Sequence, residues 1–224
     1  DILGRSVADK VEYLKDPNRN LTLDSILEGR SLHFKTYQAK RKNFRNTRAT
    51  IWVKGTLKNR MNDQNRFLIE ASRPITNIVK MYLIRNGEVV DTLNSGDHVP
   101  IRERPVEARR NLFPVDLGPE EGVDFVINMK SHGESLVFPF IVWTPHLFFR
   151  GNSKEQLNHG LFYGILLFVF LIFGFFYKVL RDRSFLYYVL YIFCFGTLQF
   201  SIDGYAYWMF FDEMPWMADR ILLF

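Results

Sequence analysis

The 224-residue sequence contains one cysteine, Cys194, and it lies inside a long apolar run. No intrachain disulfide can form, so whatever folds must be held by packing and hydrogen bonding. A secreted eukaryotic module of this size would often carry a disulfide, and the lack of one fits a bacterial envelope better. The patterns that announce common chemistries are also missing: there is no Gly-rich phosphate loop, no paired-His zinc spacing and no nucleophile elbow. His33, His98, His132, His146 and His159 are scattered over different segments, and Glu120-Glu121 falls in a turn. No catalytic residue, metal site or cofactor is assigned. Charge, finally, is absent from two stretches, residues 161–177 and 185–202.

Each uncharged stretch is rich in Leu, Ile, Val and Phe and long enough to cross a hydrocarbon core about 30 Å thick. Membrane-spanning helices are expected over residues 157–180 and 185–203. The connector between them carries Lys178, Arg181 and Arg183, whereas residues 204–216 carry Asp212 and Glu213 and no Lys or Arg. Short basic loops stay cytoplasmic, which places the connector inside and everything before residue 161 outside. Tyr205, Tyr207, Trp208 and Trp216 then form an aromatic belt at the outer interface. Gly160 and Gly164 form a small-xxx-small pair able to bring two helices close. Asp203 stands at the outer end of the second span, at an aqueous mouth or at the membrane edge. A fresh apolar start, Ile221-Leu222-Leu223-Phe224, follows Pro215. Residues 214–224 read as the beginning of a third span, and the chain as a fragment of a longer protein whose export signal has been removed.

The net charge of +5 averages two different materials, because nearly all charge precedes Arg150 and most aromatic excess follows it. Basic residues cluster at Lys40-Arg41-Lys42, Arg45 and Arg48, and again at Arg102, Arg104, Arg109 and Arg110. An exported domain does not meet nucleic acid, so these clusters read as a solvated surface near anionic headgroups or polysaccharide. Residues 1–30 read as an irregular or partly helical lead-in. Beyond them the period changes to two. Residues 49–57 place Ile51, Val53 and Leu57 on one face and Trp52, Lys54 and Thr56 on the other, and residues 67–71 repeat the pattern. Two β-rich runs, 78–85 and 88–93, flank Asn86-Gly87, the pair that supplies the positive φ angles of a type I′ hairpin turn. Strand-like runs follow at 111–117, 123–129 and 136–143. Many short strands at even spacing predict an all-β sandwich of jelly-roll type over residues 31–149.

The ordered combination of a strand with Trp52, the Tyr82…Asn86-Gly87 hairpin, Gly96-Asp97, Arg104-Pro105, Arg110, Phe113-Pro114-Val115 and Gly160-Leu161-Phe162-Tyr163-Gly164 resembles one bacterial receptor family. It is similar to the seven-transmembrane receptors with diverse intracellular signalling modules, specifically their type-2 extracellular domain joined to the first transmembrane helices. The run Arg181-Asp182-Arg183-Ser184-Phe185-Leu186-Tyr187-Tyr188 carries the same resemblance. The resemblance implies a periplasmic jelly-roll sensor that binds carbohydrate, on a seven-helix unit in the bacterial inner membrane. It also implies a cytoplasmic kinase or cyclase beyond this chain, and with it a homodimer.

Sugars are held by aromatic faces and by planar polar groups that meet their hydroxyls. Trp52 and Tyr82 on strands, with Asp97, Arg104 and Arg110 in or beside loops, are the candidate ligand-binding residues. The bland alternative makes Trp52 core and has the arginines pair with neighbouring acids to fix a loop. A membrane-anchored carbohydrate-binding or envelope-assembly protein without signalling output, or a transporter's accessory subunit, accommodates the same residues. A small-molecule ligand and the lipid bilayer are the partners expected.

Overall fold

The computed structural model describes residues 4, 7, 10–29, 32–36, 43–46, 48–72, 76–131 and 135–211. In chain order the elements are β1 (Glu12–Asp16), α1 (Leu23–Glu28), β2 (Lys35–Thr36), β3 (Asn43–Asn46), β4 (Thr50–Lys58), β5 (Arg66–Ser72), β6 (Ile78–Arg85) and β7 (Glu88–Ser95). There follow β8 (Asn111–Asp116), β9 (Gly122–Lys130), β10 (Ser135–Val137), β11 (Ile141–Trp143), α2 (Pro145–Leu180) and α3 (Arg183–Ile202). A six-stranded antiparallel sheet in the order β2-β1-β4-β9-β6-β7 faces a three-stranded sheet, β11-β5-β8, with β10-β3 as a separate pair. From β4 onward the chain crosses repeatedly between the two main sheets, with β6-β7 as a hairpin within the larger one and β10 in the separate pair, the jelly-roll-like β-sandwich that the even strand spacing predicts.

Period-two patterning fills the space between the sheets. Ile51 and Val53 of β4, Met81 of β6 and Phe125 and Ile127 of β9 face Ile69 of β5 and Phe113 of β8, all fully buried in one cluster. Phe138 and Phe140 close the open side, stacked at 5.4 Å, with Phe140 also stacked on Phe125 at 5.1 Å. Pro114 occurs in β8, an edge strand of the smaller sheet, the position in a sheet where proline is tolerated.

The Asn86-Gly87 turn has the expected positive φ values, 53° and 82°. Three expectations change. The lead-in is part of the sandwich: β1 pairs with β4 along Glu12↔Lys54 to Asp16↔Thr50, and α1 follows with Thr22 at its N-cap and Gly29 in a left-handed C-cap. The single strand expected over 136–143 is two, because Phe140 adopts a φ of 35° directly after Pro139; β10 pairs with β3, and β11 with β5. The first long helix begins at Pro145, twelve residues ahead of the expected span. Thr144 caps it and Pro145 occupies the first turn, a start signal present in the sequence. At 1.5 Å per residue its 36 residues extend about 54 Å, more than a bilayer core requires.

Both long helices expose large apolar side chains along their length, including Leu161, Phe168, Leu171 and Phe175 on α2 and Tyr191 and Phe193 on α3. Their length and composition suffice to cross a membrane. A Cβ at Gly160 or Gly164 would meet nothing within 4 Å, so that small-residue pair makes no close helix contact among the described residues; Gly196 faces Leu166 instead. The expected third span, 214–224, lies outside the described residues, as do Lys40-Arg41-Lys42 and His132.

After β7 the chain turns at Gly96, whose φ is 118°. A Cβ there would lie 2.3 Å from the Asn77 carbonyl oxygen. Asp97 N–H donates to the Thr76 carbonyl at 3.0 Å and His98 N–H to that of Asn77 at 3.1 Å, which fastens the 96–110 loop to the start of β6. Gly96→Ala combines a disfavoured φ with a backbone clash and is expected to destabilise the sandwich by about 2 kcal/mol or more. A lower denaturation midpoint of the full chain in detergent, followed by near-UV circular dichroism, checks this; an unchanged midpoint contradicts it.

Candidate functional site at the sandwich–helix junction

The outer face of the smaller sheet is not left to solvent. Leu68 and Leu112 point outward from β5 and β8 and pack on Phe148, which is 2% exposed in the first turns of α2, with Trp143 edge-on at 6.0 Å. This apolar contact seats the long helix on the sandwich. Two turns further on, Glu155, His159 and Tyr163 recur at i, i+4 and i+8 and so share one helix face. The end of the 96–110 loop and the end of α3 converge on that face.

Glu155 accepts from both arginines that end the loop. Arg109 Nη2 donates to its Oε1 at 2.8 Å, and Arg110 Nη2 donates to its Oε2. Arg110 Nη1 also bridges both oxygens of Glu70, at 3.0 and 3.2 Å, and the Trp143 indole N–H donates to Glu70 Oε2 at 2.9 Å. Arg109 Nη1 donates to the Asp203 carbonyl, while its guanidinium lies over the Tyr205 ring at 4.6 Å. The Asp203 carboxylate accepts from the Tyr163 hydroxyl at 2.6 Å and from Gln199 at 3.1 Å. His159 stands between the acids: Nε2 lies 3.6 Å from Glu155 and Nδ1 3.4 Å from Asp203. Burial pushes the Tyr205 phenol up. Nearby, Tyr207 packs on Ile101, its hydroxyl 3.4 Å from the Val99 carbonyl and its ring under the Arg104 guanidinium.

Burial decides how much these ion pairs matter. The side chains of Glu70, Arg109 and Arg110 are 10%, 13% and 19% exposed, against 50% and 66% for Lys58 and Glu120. Exposed pairs of the second kind contribute about 0–1 kcal/mol, whereas removing one partner of a mostly buried pair costs about 3–5 kcal/mol. The junction is therefore the one place among the described residues where charge, hydrogen bonding and apolar packing together join the sandwich to both long helices.

The five candidate ligand residues do not converge. Trp52 and Tyr82 share a cluster on the outer face of the larger sheet, with Ile84, Val126, Leu14 and Ile26 of α1. Trp52 is 4% exposed, and its indole N–H has no acceptor among the described residues. Tyr82 is half-buried, and that burial pushes its phenol up. Asp97 is buried and accepts from Asn77 Nδ2 at 3.3 Å. Arg104 braces its own loop, with Nε 3.0 Å from the Val99 carbonyl and Nη1 3.3 Å from that of Ala108. Arg110 belongs to the junction, where its acidic partners are Glu70 and Glu155 and not its sequence neighbours. The sequence reading missed Glu70, Arg109, Glu155 and His159 as a set. Their one local signal was the Glu155, His159, Tyr163 spacing just before the first apolar run.

A disulfide-free sandwich fastened by buried charge to two lipid-type helices defines a membrane protein whose external domain is coupled to its membrane part. Comparison with known proteins makes this specific. Residues 8–144 match the family described as 7TMR-DISM extracellular 2, and residues 155–224 match the 7TM diverse intracellular signalling family. The chain belongs to the 7TMR-DISM receptors: it is a membrane receptor's sensory region, with an extracellular N-terminal β domain followed by apolar helices.

No curated protein matches the chain. Among solved structures it is similar to Ruminococcus gnavus β-glucuronidase, at 11% identity over 62% of this chain and 27% of that one, with a TM-score of 0.34. The same organism's enzyme in complex with D-glucaro 1,5-lactone matches at 10% identity over 63% of this chain and 29% of that one, with a TM-score of 0.30. The chain spans under a third of the length of these structures, and likeness at this level carries no argument about activity or substrate.

A double-mutant cycle tests the junction. Arg110→Ala and Glu155→Ala each destabilise the full chain in detergent, and the double variant loses less than the sum, with a coupling energy of about 1–3 kcal/mol. Additive losses in denaturation midpoints would mean that the pair is not a functioning contact.

Proposed function

We propose that this chain is the input region of a bacterial signal-transduction receptor that is multi-pass in the inner membrane. Its sandwich binds a small extracytoplasmic molecule, with saccharides as the leading class, and the helices carry the change to a cytoplasmic output such as a histidine kinase or cyclase. A homodimer follows from an output of that kind. The observation that carries this reading is the junction. A domain serving only as an anchored binding module needs a tether, whereas here Arg109 and Arg110 hold the sandwich to Glu155 of α2 and to the end of α3. Ligand binding that displaced the 96–110 loop would alter those contacts and bias the packing of the helices.

For the ligand, the outer face of the larger sheet is the favoured position. Trp52 supplies an aromatic surface and a buried N–H without an acceptor among the described residues, and Tyr82 supplies a hydroxyl in the same cluster. Both are covered by α1 and by Leu32 and Phe34, so access requires that cover to shift.

The test is a thermal-shift screen of the full chain in nanodiscs against saccharides and organic acids, followed for any hit by spin-label distances between α2 and α3. A raised midpoint that falls away in Trp52→Phe, together with a changed inter-helix distance, supports the receptor reading and the proposed face. Binding without any change in the helices supports an anchored binding module instead. No shift with any compound overturns the ligand assignment.

A further inference from the structure

The outer face of the larger sheet carries a polar row that neither the core nor the junction uses. Strand register sets Trp52 of β4 opposite Asn128 of β9, Asn128 opposite Lys80 of β6, and Lys80 opposite Asn94 of β7. Directly opposed residues share a face, so these four side chains stand side by side across four neighbouring strands, about 4.8 Å apart per strand. The intervening positions, among them Val53, Ile127 and Met81, point into the core. Exposure changes along the row. Trp52, beneath α1, Leu32 and Phe34, is 4% exposed and Asn128 is 3% exposed, whereas Lys80 and Asn94 are open to solvent.

Each half of the row lacks something. In the covered half, the Trp52 indole N–H has no acceptor among the described residues. The hydroxyl of buried Thr50, two positions earlier on the same face of β4, likewise has no partner among them. A buried polar group left unpaired costs free energy, so two on one face mark a place where an incoming oxygen gains more than at an ordinary surface. In the open half, positive charge is unmatched. On this face Lys54 has its acid, Glu12, at 3.3 Å and lies over the Phe34 ring. Lys80 makes no ion pair among the described residues, and its cross-strand neighbours, Asn128 and Asn94, are uncharged. Lys130, two residues beyond Asn128 on the same face, is exposed and also without an ion pair there. What fits both halves is one molecule with oxygen acceptors and a negative charge. Phosphate is usually gripped by guanidinium forks or by nests of free backbone N–H groups, and this row has no arginine and lies within hydrogen-bonded ladders. An ammonium flanked by two planar amides suits a carboxylate with hydroxyls beside it.

We propose, building on the reading of this face as the ligand site, that the ligand received along the row is a carboxylate-bearing polyhydroxyl compound, an acidic saccharide or sugar acid. Lys80 takes the carboxylate at the open end, and Lys130 adds to the positive potential there. Asn94 and Asn128 meet hydroxyls on either side of it. The Trp52 N–H and the Thr50 hydroxyl bond to ligand oxygens once the cover above them shifts. The ligand thus enters from the side of β6 and β7, charge first, and α1 with Leu32 and Phe34 is the part that moves.

The experiment uses the full chain in phosphatidylcholine nanodiscs, which carry no net charge, and titrates matched acid and neutral probes by ligand-observed nuclear magnetic resonance. The pairs are galacturonate with galactose, mannuronate with mannose, and gluconate with glucitol. The expected result is that at least one acid binds roughly tenfold or more tightly than its neutral partner at low salt, with the ratio falling as salt is raised. Lys80→Gln brings that acid to the affinity of its neutral partner. Asn94→Asp, which sets a like charge beside the carboxylate, weakens the acid and not the neutral compound. Both positions are exposed, so neither variant disturbs the core, and Lys154→Gln on the exposed side of α2 changes neither affinity. Neutral probes that bind as tightly as the acids overturn the proposal and leave the ligand reading of this face standing. An acid preference that survives in Lys80→Gln does the same. No binding by any probe of either kind overturns both.

Discussion

The structure turns on the carboxylate of Glu155. It stands on the first helix above the apolar run and receives one guanidinium at each oxygen, from two arginines that are consecutive in sequence. Arg109 reaches toward Tyr205 and Asp203 while Arg110 reaches toward Glu70 and the sandwich. One acid thus ties three separate parts of the chain, β5, α2 and the end of α3, through a two-residue clamp. Mostly buried charge of this kind is a poor source of net stability, but it is demanding of geometry, since losing any partner strands the others. That is the property wanted where the position of one body must be felt by another.

The sandwich is arranged to bring that clamp into place. Its larger sheet is buried on both faces near Trp52, by the main core on one side and by α1 with Leu32 and Phe34 on the other. Its smaller sheet has the core on one side and Phe148 of α2 on the other. The long helix is therefore both the last packing element of the external domain and the first element of the membrane part. Its stiffness makes it a rod shared by the two. The loop from Gly96 to Arg110 crosses between the hairpin and the helices. It is pinned at its start by Asn77 and Thr76, braced internally by Arg104, and terminated at the clamp.

Local signals were read correctly where the physics is local. The Asn86-Gly87 turn, the period-two strands and the two uncharged runs depend on neighbours within a few residues, and each appears in the structure where the sequence placed it. Three features escaped. β1 was masked by the short polar run Glu-Tyr-Leu-Lys-Asp, which becomes a strand because β4 offers a ladder to pair with. The break at Phe140 was hidden because nothing about a phenylalanine suggests a positive φ; stacking on Phe125 and Phe138 holds it there. The early start of α2 was legible in Thr144-Pro145 but was outweighed by the apolar run that follows.

The sequence by itself determined the materials: a disulfide-free all-β external domain and two membrane-length helices, because hydrophobic period and run length act one segment at a time. Only the tertiary structure decided which charges meet. Glu70, Arg110, Glu155 and Asp203 are separated by dozens of residues, and each taken alone is an ordinary polar side chain in a strand, a loop or a helix end. Their partnership arises from the smaller sheet turning its outer face to α2 and from the end of α3 lying beside it. Contacts of that range leave no periodic trace in the chain, because the free energy that selects them is released only when the elements pack.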